Sequence, residues 1–220
     1  MNEANSRPPS VETERAQRRA YVATWLITSL MALAYKEAVP PVRDSMQNGV
    51  GNDLAIGSLL LFVVFFLTNT RFFIGNYIHM QDLVQSNAGQ IVWLYDLLFI
   101  VLQAILFIFL AGVCSVKFSR EHEIHFVLLL LILYGVDVIW ILSQLIFGKL
   151  PYIQRYFKRN SWTWQWLVLN LTQAILILVL VAYKYNGDFY SQGMLWWLAG
   201  ISMVAFYIDV VVIDRSHILW

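Results

Sequence analysis

The 220-residue chain is 59% hydrophobic and only 13% charged, with a mean hydropathy of +0.61. Soluble domains run at roughly 45–50% apolar and about 25% charged, so a water-soluble globule of this size could not hide so much apolar surface. A formal net charge of +1 gives no whole-protein electrostatic case for nucleic acid, and the single cysteine, Cys114, excludes a disulfide framework or a thiolate metal cluster.

Residues 1–20 are polar, carry Pro8 and Pro9, and close on Arg15, Arg18 and Arg19; they read as a flexible cytoplasmic tail. The apolar run 21–34 has the length of a signal-peptide core. Its polar leader is long, however, and Tyr35-Lys36-Glu37 offers no small-residue cleavage site, so it reads as a retained first span. The run is short, and the stems of Arg19 and Lys36 are expected to extend it to the two interfaces. Pro40-Pro41 and the polar residues up to Asp53 then predict a loop, because consecutive prolines deny helix continuation.

Five further runs, 54–80, 91–116, 124–148, 162–183 and 193–213, are each long enough to cross a hydrocarbon core, which takes about 20 helical residues. They are continuous rather than alternating, and an open sheet cannot leave its edges unpaired in lipid, so strands are excluded. The fold class is therefore an all-α membrane protein: a six-transmembrane-helix bundle over residues 21–213, followed by a short cytoplasmic C-terminus, 214–220.

Loop charge sets the orientation. With the N-terminus inside, nine basic residues lie on the inner side (Arg7, Arg15, Arg18, Arg19, Lys149, Arg155, Lys158, Arg159 and Arg215) against five outside (Lys36, Arg43, Lys117, Arg120 and Lys184). The positive-inside rule then places both termini in the cytoplasm, as a multi-pass protein of the inner or plasma membrane. Trp162, Trp164 and Trp166 are expected to form an aromatic belt at the inner face, and Trp196-Trp197 one at the outer face.

A faint internal repetition accompanies the spans. Gln103-Ala104-Ile105-Leu106 recurs as Gln173-Ala174-Ile175-Leu176, and the two glutamines are followed 34 and 36 residues later by Asp137-Val138 and Asp209-Val210. Parallel helical hairpins would give this pattern, as would coincidence in a chain rich in Leu and Trp.

The stretch 54–80 begins as an unbroken apolar run and then takes on Asn69, Arg71, Asn76 and His79. Residues seven apart share a helical face, and that spacing recurs as Asn69 and Asn76, Asp96 and Gln103, Asp137 and Gln144, and Ser202 and Asp209; Asn170 and Gln173 share a face at spacing three. These stripes point to a common polar interior. By depth, Arg71, Asp96 and Asp209 fall toward the inner half, and Gln103, Asp137 and Gln173 near the midplane. Arg71 is expected to pair with Asp96 or Asp209, since an isolated charge at the bilayer centre costs at least about 2.5–3.5 kcal/mol. Asp137 has no basic residue at its own depth and is expected to be protonatable in place. Against these roles stands the structural one: amides between membrane helices commonly serve as interhelical hydrogen bonds, and Arg–Asp pairs as register locks.

Other chemistry is absent or weak. No haem-ligand histidine pair, hydrolase elbow, phosphate loop or zinc-protease motif occurs, so no cofactor, resident metal or catalytic set is expected. His122 and His125 with Glu121 and Glu123 read as a solvated loop rather than a surface metal site. Asn170-Leu171-Thr172 matches a glycosylation acceptor but lies within a span.

The sequence thus points to a channel or carrier for a small ion or polar solute, with Asp137, Arg71, Asp96, Asp209, Gln103 and Gln173 as its ion or proton pathway and Asn69, Asn76 and His79 as an inner polar cluster. Membrane lipid is the expected surrounding, a homo-oligomer the expected assembly, and the basic loop 149–161 a candidate surface for anionic lipid or a protein partner. Two rivals remain at this point: a membrane scaffold or effector subunit, and an intramembrane enzyme on a lipid-like substrate with His79, Asn76 and Asp82 at the inner interface.

Overall fold

The computed structural model describes residues 11–47, 52–85, 90–114, 120–149, 162–185 and 191–213. Six helices account for nearly all of them: α1 (Val11–Gln47), α2 (Asn52–Gln85), α3 (Gln90–Cys114), α4 (Arg120–Phe147), α5 (Trp162–Tyr185) and α6 (Ser191–Tyr207), the last continued by a π-helical turn, Ile208–Ile213. Each contains a stretch long and apolar enough to cross a membrane, from Gln17–Asp44 in α1 to Gly193–Val211 in α6. No strand occurs among the described residues. The basic loop residues Arg155, Lys158 and Arg159, and the termini 1–10 and 214–220, lie outside them.

α1 departs from expectation at both ends. It starts at Val11, so the second half of the segment read as a tail is helical, and it continues through Pro40-Pro41 to Gln47. Two prolines remove two backbone donors and normally end a helix. Here Ala38 and Val42 flank the pair and are buried, so the last turns of α1 are held by packing on the bundle that outweighs the lost bonds. The same face carries Ala23, Ile27 and Ala34, a small-residue stripe that lets the helix backbones approach closely.

The remaining five helices form a closed ring. α2 packs on α3 and α6, α3 on α4, α4 on α5, and α5 on α6, while α1 lies outside the ring in the groove between α2 and α3. Large apolar side chains such as Trp25, Leu98, Ile139, Val168 and Met203 stand exposed around the outside, which is the inversion that a lipid solvent demands.

The interior has two unlike halves. Toward the start of α2, α4 and α6 it is apolar: Leu61, Val64, Phe65, Leu110, Leu130 and Leu195 are almost wholly buried and interdigitate with the aromatic pairs Phe65–Phe107 and Phe72–Phe107, whose ring centroids are 6.4 and 5.5 Å apart. Toward the other ends of those helices, beginning about the middle of α2, the axis is polar. The bundle is therefore plugged at one end by close-packed hydrocarbon, which also encloses polar side chains such as Ser58 near the start of α2 and Glu123 in the first turn of α4; Glu123, read from the sequence as part of a solvated loop, is helical and 0% exposed.

Leu130→Ala opens a cavity in that plug and is expected to cost roughly 2–5 kcal/mol in reversible denaturation from detergent micelles, whereas Ile132→Ala, on the lipid face, should cost well under half as much. Equal costs would mean that the plug is not close-packed.

Candidate functional site

The polar half is organised around Arg71, which is 2% exposed in the middle of α2. Its guanidinium carries five donors in a planar fork and no acceptor, so it selects oxygen atoms on every side. Nε donates to Asp209 Oδ2 at 2.6 Å, Nη1 to Gln173 Oε1, and Nη2 to Asn170 Oδ1. The rings of Phe72 and Tyr134 lie against it, with centroids 5.4 and 5.7 Å from Cζ, so its faces meet π electrons while its edges meet oxygens. One side chain of α2 thereby binds the turn that continues its neighbour α6, and also α5, the helix beyond α6 in the ring.

The hydrogen-bond chain continues in a direction fixed by that contact. Because Asn170 must present Oδ1 to Arg71, its Nδ2 points the other way and donates to Asp137 Oδ2. Asp137 Oδ1 accepts from Gln103 Nε2 at 2.7 Å, which frees Gln103 Oε1 to accept from Asn76 Nδ2 at 2.9 Å. Donors converge on Asp137 from two sides, and Asp137 is completely buried. The run Arg71, Asn170, Asp137, Gln103, Asn76 returns to α2 and closes a loop of contacts through α5, α4 and α3.

Asp209 is held by a second donor. Trp166 Nε1 donates to Asp209 Oδ1 at 2.6 Å, so both carboxylate oxygens are occupied. The indole reaches Asp209 over Gly75: a Cβ on that residue would overlap the six-membered ring of Trp166. The π-helical turn begins at Ile208, one residue before Asp209, where a local change of winding re-aims a side chain at a helix end.

A separate cluster lies nearer the C-terminal end of α2. Asp96 Oδ1 accepts from Trp140 Nε1 and Gln144 Nε2, both at 2.8 Å, and Asp96 Oδ2 stands 3.1 Å from His79 Nε2. The His79 ring meets Trp140 edge-on, with centroids 5.1 Å apart, and Tyr95 bonds to Ser143 beside them.

Every side chain of the proposed pathway, and the three of the proposed polar cluster, is thus inside the bundle, at 7% exposure or less. Of the two partners expected for Arg71 it takes Asp209, while Asp96 faces His79, which lies just over two turns farther along α2. Asp137, expected to stand alone at its depth, is one amide away from Arg71, through Asn170. His79, at 7% exposure, is a core residue rather than a snorkelling interfacial one.

Two participants escape a reading of charges and amides alone. Trp166, expected in an interfacial belt, is 3% exposed, and Trp140 is 1% exposed. Spacing carried the signal for both: Trp166 shares a face with Asn170 and Gln173, and Trp140 lies between Asp137 and Gln144 on theirs. Among the described residues, no group of three or more His, Cys, Asp or Glu is arranged to hold a metal ion.

No protein-family model matches this chain, and neither a curated protein nor a solved structure resembles it significantly.

Arg71→Ala strands Asp209 without its cation and is expected to destabilise the bundle by roughly 3–5 kcal/mol, with much of that loss recovered in Arg71→Ala/Asp209→Asn. The double-mutant cycle in detergent checks this; additive losses would show that the pair is not coupled. Gly75→Ala is expected to cost about 1–3 kcal/mol through overpacking. In a Trp166→Phe background, which removes the colliding ring atoms, the same substitution should cost much less.

Proposed function

We propose that this protein is a multi-pass channel or carrier for a small ion, with the proton as first candidate, and that Asp137 is the site at which the ion is held. The observation that supports this is a charge count. Within one hydrogen-bonded cluster, Asp137 and Asp209 share a single permanent cation, Arg71. Every member is buried, and Arg71 and Asp137 lie well inside their spans, where an uncompensated charge costs at least about 2.5–3.5 kcal/mol on insertion scales. A proton or small cation exchanging at Asp137 balances the cluster.

In this reading the structure corresponds to a closed state. The apolar plug bars one end, and the polar half communicates with the side on which α1 begins. Basic residues concentrate at that side, so both termini face the cytoplasm of an inner or plasma membrane. Asp96 and His79, between Asp137 and that face, form the entrance. Six spans are few for a self-contained carrier, and a homo-oligomer is the expected assembly.

Direct side-chain pairing of Arg71, Asn170, Asp137 and Gln103 favours a second reading, in which the network only locks the helices and the protein is a scaffold or effector subunit. Flux separates the two. Wild-type protein in vesicles should carry protons or a monovalent cation under a pH gradient or membrane potential, and Asp137→Asn, matched for folding and assembly, should fall to the protein-free background. Absence of flux in the wild type under both driving forces would overturn the transport reading and leave the scaffold one.

A further inference from the structure

The chain of hydrogen bonds ends, on the α2 side, at Asn76. Its Nδ2 serves Gln103, but its Oδ1 is buried and makes no hydrogen bond to protein. Two turns away on the same face of α2, Asn69, 1% exposed, has the Tyr35 hydroxyl beside it, yet neither atom of its amide makes a hydrogen bond of normal geometry. Both side chains line one small, partly open cavity between α1, α2 and α3, whose other walls include Met31, Phe72, Gln103, Ala104 and Phe107.

The cavity measures about 10 Å³. That is about the room one water needs, roughly 10–15 Å³ of probe volume, provided two to four polar partners surround it. A buried amide oxygen left without a donor costs about 1–3 kcal/mol, so the pressure to fill the site with a hydrogen-bonding molecule is substantial. A dehydrated metal cation fits poorly, since it takes about six oxygen ligands, whereas most of this wall is hydrocarbon and aromatic.

We propose that this cavity is a binding site for a single water molecule, which donates to Asn76 Oδ1 and hydrogen-bonds to the Asn69 amide. On the far side, the Tyr35 hydroxyl lies 2.9 Å from Thr70 Oγ1. The water therefore joins two otherwise separate polar groups: the network of Arg71 and Asp137 within the ring, and the α1–α2 contact of Tyr35 and Thr70. The joined path leaves the ring sideways beneath α1 and passes beside the apolar plug rather than through it. The hydration site stands on the cavity and its amides alone; its part in conduction rests on the transport reading above.

The test is water-edited solid-state NMR on protein in lipid bilayers with nitrogen-labelled asparagine side chains. In the wild type, the side-chain amides of Asn69 and Asn76 should receive magnetisation from water although both lie at mid-membrane. Ala104→Val fills the cavity without touching a polar group, and should abolish transfer to Asn69 while leaving the chemical shifts of the Asn170 amide unchanged. Should Ala104→Val disturb the fold, Met31→Phe fills the same space from α1. No transfer to either amide in the wild type, or full transfer in a folded cavity-filled variant, would overturn the site. Vesicle flux then reads the relay separately: if the wild type conducts, loss of flux in the cavity-filled variant supports it, and unchanged flux overturns it.

Discussion

A guanidinium in the middle of a membrane has to be bonded on every edge, and that requirement shapes this bundle. Arg71 draws Asp209, Asn170 and Gln173 to itself, and so ties α2 to its neighbour α6 and to α5 beyond it. Because the fork has only donors, it also fixes the amide of Asn170, and through that amide the hydrogen bonding of Asp137, Gln103 and Asn76. Polarity and packing are here one constraint. Glycine at position 75 is part of it, since Trp166 can reach Asp209 only across a backbone with no Cβ.

The two halves of the interior divide the labour. Hydrocarbon packing of Leu, Phe and Val at one end supplies close van der Waals contact and excludes water, which in turn strengthens the electrostatics of the other end by lowering the local dielectric. The polar half provides direction. Its donors run toward Asp137 from two sides, so the carboxylate is the sink of the network, and one arginine stands against two aspartates. A lock built only for rigidity gains nothing from that excess of negative charge, whereas a site that takes up and releases a cation depends on it.

Much of this was legible in the sequence. Six spans follow from hydropathy and length, and the inward faces follow from pairs such as Asn69 and Asn76 or Asp96 and Gln103, because the helical period returns a residue to the same face after seven. Pairing was less legible. Arg71 and Asp137 are assigned different depths by counting along their helices, yet side-chain length and helix rotation bring their charges within one amide of each other. Tryptophan was misleading for a related reason: near a span end it suits a lipid headgroup or a buried acceptor equally, and only the spacing of Trp166 from Asn170 and Gln173 favours the core. The continuation of α1 through Pro40-Pro41 depends on tertiary packing at Ala38 and Val42, which local chemistry does not reveal.

The central claim is that the buried cluster carries an exchangeable positive charge at Asp137. Difference infrared spectroscopy of the protein in bilayers tests this most directly, by following the carbonyl stretch of a protonated, water-excluded carboxyl through a pH titration in hydrogen and deuterium oxide. A buried carboxyl band that titrates, shifts with deuterium and is missing from Asp137→Asn is the predicted result. A spectrum with no such band at any pH, unchanged by monovalent cations and identical in the variant, would contradict it.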